Sequence, residues 1–358
     1  MSFIASPCIT IVLATYNRPD VLGLTLQSVL LQTERRWQLL VIGDRCDERT
    51  QAVINDIGDP RIRYLNLTTR CGEQAGPNSV GLQLATTEFI ALLNHDDLWL
   101  PDHLEQALTC LQGSGKDLYV ARAAFGYEPD TQGDRRQRPL FREANPLHRK
   151  LRHAYTTAPF MFEPCSSWVL RKSLADKVGP WRSGRDLART SLQDWMMRAW
   201  RAGAQLCSVP AITVLKFNTH HQASAQAIKQ YEWGNREQAS MLAVIASTRP
   251  EAVRQLLEDD LHYSRQAQLR IRDPMLFLRQ PHSRLEGWCG RLLLSRLAAG
   301  WYWLTAQDGY DLYNRRWGKP RGSQIAAVVG ARVGEAFPPA YDMATLLRQA
   351  QDGLGLHE

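Results

Sequence analysis

Four short apolar runs, each closed by polar residues and three of them followed by a helical pattern, fill the first hundred positions. They are CITIVLA (8–14), WQLLVIGD (37–44), RIRYLNL (61–67) and EFIALLN (88–94). Runs of this length, rich in β-branched residues and bounded by turn residues, read as strands buried on both faces. Between the first two, Leu22, Leu26, Val29 and Leu30 recur at helical spacing; Ala52, Val53 and Ile57, and then Pro77 to Ala85, do so later. Strands alternating with helices at short intervals imply a parallel sheet covered by helices on both faces, an α/β fold. Such sheets bind ligands beyond the carboxyl ends of their strands. Three polar clusters fall there: Thr15–Arg18, Asp44 and Asn94–Asp97.

The pattern continues with a helix over 102–111, a strand over DLYVARAAF (117–125), a strand over 165–170, an amphipathic helix over 192–202 and one or two short strands in LCSVPAITVLKF (206–217). Residues 127–150 are aperiodic and rich in Arg, Pro, Asp and Gln, which predicts a long mobile insertion. Past 222 the chain turns helical and rich in Gln and Arg, so a boundary is expected there: an α/β domain over 1–222 and a helical region over 223–358. With 358 residues, 44% hydrophobic and 22% charged, the chain can build a sizeable core and is not disordered.

Net charge is +7, which suits nucleic acid, anionic lipid or a phosphorylated ligand without choosing among them. Seven cysteines with no Cys-x-x-Cys pair argue against a disulfide framework or a zinc cluster and suit a reducing compartment. MSFIASPC lacks the basic and apolar regions of a signal peptide, and no apolar run approaches the roughly 20 residues of a membrane span. The expectation is a cytoplasmic protein, with contact at the inner face of the membrane left open.

Two adjacent carboxylates, Asp96 and Asp97, close the fourth strand. Their mutual repulsion is relieved by a cation, and magnesium or manganese accept one or two carboxylates plus substrate phosphates; a helix-capping role is the alternative. Asp44 can accept hydrogen bonds from a nucleobase or ribose, or serve a turn. Thr15, Tyr16 and Asn17 offer a ring face and hydrogen bonds to a base. Asp194, in the first turn of its helix, stays ionised near the helix N-terminus and can act as a base, or merely complement the dipole. His220, in the His220-His221 pair after a strand, is a further candidate metal ligand. No G-x-G-x-x-G, Walker A loop, H-E-x-x-H or G-x-S-x-G is present.

In sequence order, ITIVLATYNRPDVLGLTLQSVLLQT, WQLLVIGDRCDERT, GPNSVGLQLATTEFIALLNHDDLWLPDHL, VGPWRSGRDLARTSLQDWMMRAWRAG and FNTHH resemble the family 2 glycosyltransferases of GT-A fold, over roughly residues 7 to 222. The resemblance implies a mostly parallel, Rossmann-like sheet flanked by helices. It implies a nucleotide-sugar donor, a saccharide or lipid-linked acceptor, and a manganese or magnesium ion. Thr15, Tyr16, Asn17, Asp44, Asn78 and Asp96 would contact the nucleotide; Asp96, Asp97 and His220 would meet the metal; Asp194 would be the base of inverting transfer. Four positions depart from the family: Gly43 and Asn94 stand where aspartates are usual, Pro77 where arginine is common, and Gln193 where an acid precedes the base. The rivals are a nucleotidyltransferase, which would want a Gly-rich phosphate loop after the first strand, and a nucleic-acid-binding protein, which would want aromatic and basic residues interleaved on strands. Neither feature is found.

The C-terminal region carries one further pattern. Between Leu261 and Arg332 there are 12 Arg and Lys against 4 Asp and Glu, and RLLLSRLAAGWYWL (291–304) puts Leu293, Leu294, Leu297 and Trp301 on one helical face. That face would lie in a membrane interface, pack on the α/β domain, or join a second copy in a homo-oligomer.

Overall fold

The first apolar run folds into β1 (Ile9–Thr15), hydrogen-bonded to a parallel strand on each side: β2 (Trp37–Gly43) and β4 (Phe89–Asn94). The computed structural model describes residues 6–127, 140–144, 164–187, 189–217, 225–271, 295–307, 316 and 338–355. Helices α1 (Pro19–Leu30), α2 (Glu48–Ile57) and α3 (Ala75–Leu84) carry the crossovers, and β3 (Ile62–Asn66) extends the sheet beyond β2. Pro19 opens α1, where its missing N–H costs nothing, and Asp47 caps α2 by accepting from Arg49 N. Helix α3 lies so close to β1 that a Cβ at Gly81 would sit 2.2 Å from Val12 Cγ1. The class expected from the alternation, a mostly parallel sheet flanked by helices, is the one observed.

Beyond β4 come β5 (Leu98–Trp99), α4 (His103–Ser114), β6 (Leu118–Val120), β7 (Arg122–Tyr127), β8 (Leu140–Glu143), β9 (Trp168–Arg171), α5 (Lys172–Val178), α6 (Ser191–Arg201), β10 (Leu206–Cys207) and β11 (Ile212–Phe217). The large sheet has seven strands in the order β10-β6-β9-β4-β1-β2-β3; a smaller one runs β5-β11-β7-β8. The expected single strand over 117–125 breaks at Ala121, and its halves join different sheets. Local alternation does not reveal such a switch, because both halves are buried. The run expected as a strand from 165 begins instead as a 3-10 turn, Cys165–Ser167, and β9 then enters the large sheet antiparallel to β4 and β6. Within the expected insertion, Leu140–Glu143 pairs with β7; residues 128–139 and 145–150 lie outside the described residues.

Helices α7 (Ala225–Ser247) and α8 (Pro250–Ile271) share a buried cluster with the smaller sheet: Met241, Leu242, Ile245, Val253, Leu257 and Leu261 meet Leu98, Phe141, Leu215 and Phe217. Helix α9 (Ser295–Thr305) inserts Tyr302 beside Trp168 and Trp195, and leaves Trp301, Trp303 and Leu304 exposed at 46%, 57% and 72%. Residues 291–294 and the side chains of 295–299 lie outside what the structure describes, so the predicted apolar face is described only at Trp301. Helix α10 (Met343–Leu354) buries Leu346 and Ala350 against Leu40, Ile42, Leu65 and Val80. No described helix is long and apolar enough to cross a membrane.

Candidate functional site

At the carboxyl edge of β1, β2 and β4 the surface opens into a cleft. Ala14, Thr15 and Tyr16 line it from β1, Asp44 from β2, His95 from β4, and Arg70, Gly72, Glu73, Gln74 and Pro77 from the loop and helix after β3. Of the three clusters expected at this edge, one residue or more from each therefore reaches the cleft.

Asp44 is buried, and its oxygens accept from Cys71 N at 2.5 Å and Gly72 N at 2.8 Å. Burial raises its pKa above the ordinary carboxylate value, against the pull of those two N–H groups. Asp44 thus fastens loop 70–73 to the strand end. An aspartate at position 43 would force its neighbours to shift: a Cβ there would lie 2.6 Å from Tyr64 Oη and 2.7 Å from Asn66 Oδ1. Arg70 lays its guanidinium over the Tyr16 ring, 4.2 Å from the centroid, a cation–π contact. Thr15 Oγ1 and His95 Nδ1 are hydrogen-bonded at 3.2 Å.

Asn17 serves the backbone. It holds a left-handed φ of 44°, and its Oδ1 accepts from Asp47 N at 2.8 Å, tying the loop after β1 to the cap of α2. Asn78 lies beside Pro77 in the first turn of α3, buried, and among the described residues its Nδ2 has no hydrogen-bond partner. A buried donor in that state suits a ligand acceptor.

Of the two carboxylates expected around a cation, Asp97 is turned into the interior. Asp97 is fully buried, and Lys216 Nζ donates to both its oxygens at 2.9 Å; Ser166 Oγ and Asn94 Nδ2 (3.0 Å) donate to Oδ2. Asn94 Oδ1 accepts from the Cys165 thiol at 2.9 Å, so the Asn94 amide also faces inward. Thr25 Oγ1 lies 2.8 Å from His95 O and 2.9 Å from Asp97 O and shapes the turn. Burial raises the Asp97 pKa, and the Asp97 and Asp96 charges raise that of Lys216. Asp96, in the same turn, is half-buried and is a carboxylate that could meet a divalent cation. One carboxylate completed by substrate phosphates suffices for magnesium or manganese, so the residues fit that group. His220 lies outside the described residues.

Asp194 sits in the first turn of α6, behind a capping box in which Thr190 Oγ1 accepts from Gln193 N and Gln193 Oε1 from Thr190 N. Its Oδ2 accepts from Arg198 Nε at 2.8 Å, and Arg182 lies 3.6 Å from Oδ1. Arg198 also donates to Val178 O and Pro180 O. Asp194 is one turn deeper than Ser191, which touches Glu73 of the cleft at 3.3 Å.

Residues 10–179 match the model for Glycosyl transferase family 2. The chain is 31% identical over 103 residues to the UDP-Glc:alpha-D-GlcNAc-diphosphoundecaprenol beta-1,3-glucosyltransferase WfgD of Escherichia coli, covering 29% of this chain and 40% of that protein. To the succinoglycan biosynthesis protein ExoO of Rhizobium meliloti it is 30% identical over 114 residues, 32% of each chain. Among solved structures, S. aureus TarS 1–349 superposes with a TM-score of 0.48 at 14% identity, over 98% of this chain and 92% of that one. The chain thus aligns with less than half the length of these two curated relatives.

Arg70, Glu73 and Lys216 did not emerge from the sequence as site residues, and His95 did so only as a member of the Asn94–Asp97 cluster. For Arg70 and Glu73 a signal existed: TTRCGE follows a strand end of the same edge. For Lys216 it was a lysine inside the apolar strand ITVLKF, a residue seldom fully buried unless paired.

Proposed function

We propose that this domain is a family 2 glycosyltransferase that transfers a sugar from a UDP-sugar to a hydroxyl of a saccharide acceptor, with inversion at the anomeric carbon. The observation that carries the reading is the cleft at the carboxyl edge, where Asp44, the Tyr16–Arg70 pair and Thr15 line one open space. Asp44 would accept from the ribose or base. Tyr16 would lie against the base, and Arg70 would meet the diphosphate in place of the arginine missing at Pro77. Uridine is favoured because the relative WfgD is named for UDP-Glc.

Asp96 would hold magnesium or manganese together with the donor phosphates, which would neutralise charge on the departing nucleotide. By motif position Asp194 is the proton acceptor for the acceptor hydroxyl. In this reading Arg198 orients one oxygen, and Arg182, 60% exposed, moves aside from the other when the acceptor arrives. The acceptor would be a saccharide on a lipid diphosphate, as WfgD's name states for that protein. Exposed Trp301, Trp303 and Leu304 support contact with a membrane surface near that acceptor.

The test is a thermal-shift panel of UDP, GDP, dTDP and their sugars, with and without manganese. Binding to the folded state raises Tm, by the equivalent of about 2.7 kcal/mol at a hundredfold excess over Kd. A rise with uridine nucleotides is expected; no rise with any nucleotide overturns the proposal.

A further inference from the structure

The Glu73 carboxylate on the cleft wall accepts four hydrogen bonds. Oε1 accepts from Ser183 Oγ at 2.5 Å and Tyr341 Oη at 3.0 Å; Oε2 accepts from Gly184 N at 2.9 Å and Ser191 Oγ at 3.3 Å. A carboxylate offers about four acceptor sites, and all are used. Burial and the Glu73 charge push the Tyr341 pKa up, so its hydroxyl stays protonated and donates. Glu73 is thereby a fixed joint between the loop after β3, the segment before α6 and the C-terminal segment.

A second set of contacts reaches the same loop. Arg185 donates to Cys71 O at 3.0 Å and to Pro338 O. Pro338 lies on Gly72, which holds a φ of +73°; a Cβ there would be 2.6 Å from Pro338 Cγ. Gln349, on α10, accepts from Thr68 N and Thr69 N and donates to Thr69 Oγ1. The loop bounded in this way carries Arg70, and its Cys71 and Gly72 amides hold Asp44.

We propose that the C-terminal segment 338–349 positions the donor-binding loop 70–73, acting through Tyr341 on Glu73 and through Pro338 and Arg185 on Gly72 and Cys71. A loop ordered before the ligand arrives loses less entropy on binding, so donor affinity depends on a hydroxyl 268 residues away in sequence. Tyr341 and Arg185 are positioning residues. The inference rests on the nucleotide reading of the cleft.

The experiment compares the full chain with Tyr341→Phe, Arg185→Ala and Leu257→Ala by amide hydrogen exchange without nucleotide, and by UDP titration with manganese at 10 °C. Leu257→Ala removes apolar packing of α8 on the smaller sheet, away from loop 70–73, and leaves both polar contacts, so it reports simple loss of stability. Tyr341→Phe and Arg185→Ala are expected to speed exchange in the peptide spanning 68–76 and to weaken UDP binding about tenfold, out of proportion to any fall in Tm. Unchanged exchange and a UDP affinity within twofold of the parent would overturn the inference. So would affinity losses that track Tm equally in all three variants, because the segment would then only stabilise the fold. If the parent itself binds no UDP, GDP or dTDP, the nucleotide reading fails and takes this inference with it.

Discussion

Replacing Lys216 with methionine should unfold the protein more readily than any change on its surface. The substitution keeps most of the side-chain volume and removes the cation from Asp97, which is 0% exposed. Breaking a buried ion pair from one side costs about 3–5 kcal/mol, because the remaining charge has no partner. Here Ser166 and Asn94 still donate to Asp97, which places the expectation near the lower figure, about 3 kcal/mol. Urea denaturation followed by tryptophan fluorescence measures it. Asp97→Asn in the Lys216→Met background closes a double-mutant cycle, and the two changes together should cost less than their sum by about 1–3 kcal/mol. The pH dependence has a definite sign. The folded pKa of Asp97 lies above its unfolded value, so lowering pH through the folded value neutralises it and favours the folded state. The deficit of Lys216→Met should therefore shrink on acidification, since a neutral Asp97 needs no cation. A deficit below about 1 kcal/mol at pH 7, or additive behaviour in the cycle, would refute the view that this pair is a desolvated ionic contact.

Four further outcomes are expected. Asp44→Ala should weaken UDP-glucose binding in metal-free buffer, and the parent's affinity should fall on acidification at a pH above the ordinary carboxylate range, because the Asp44 pKa is raised; equal affinity in parent and variant, measured by calorimetry, would remove Asp44 from the nucleoside site. Asp96→Ala should abolish the gain in donor affinity that manganese gives the parent, a metal-dependent change that an intact gain in the variant would disprove. Asp194→Asn should lower turnover by 10²-fold or more with donor affinity kept, the range of a lost general base; unchanged turnover would leave only the Arg198 ion pair as its role. Anionic vesicles should pellet the protein at low salt and release it at high salt or in Trp301→Ser/Trp303→Ser; no pelleting at low salt would eliminate the membrane contact.

The local periodicities determined the alternation of strands and helices, because a two-residue or 3.6-residue repeat belongs to each segment alone. They also placed Thr15, Asp44 and His95 at strand ends, and the carboxyl edge of a parallel sheet then gathered them into one cleft. Partner choice was not legible. Whether Asp97 faces a cation or the interior depends on Lys216, 119 residues on, and so on the position of β11 in a second sheet that the apolar pattern of 117–125 does not announce. Gly43 reads as a departure from a motif until Tyr64 and Asn66 are seen filling the space beside it. The roles of Arg70 and Glu73 rest on a loop conformation fixed from Asp44, Arg185 and Tyr341, three points scattered along the chain. Tertiary structure decided these matters because a buried charge or an irregular loop is settled by whichever groups long-range packing brings within hydrogen-bond reach, and that distance is not a property of any window of sequence.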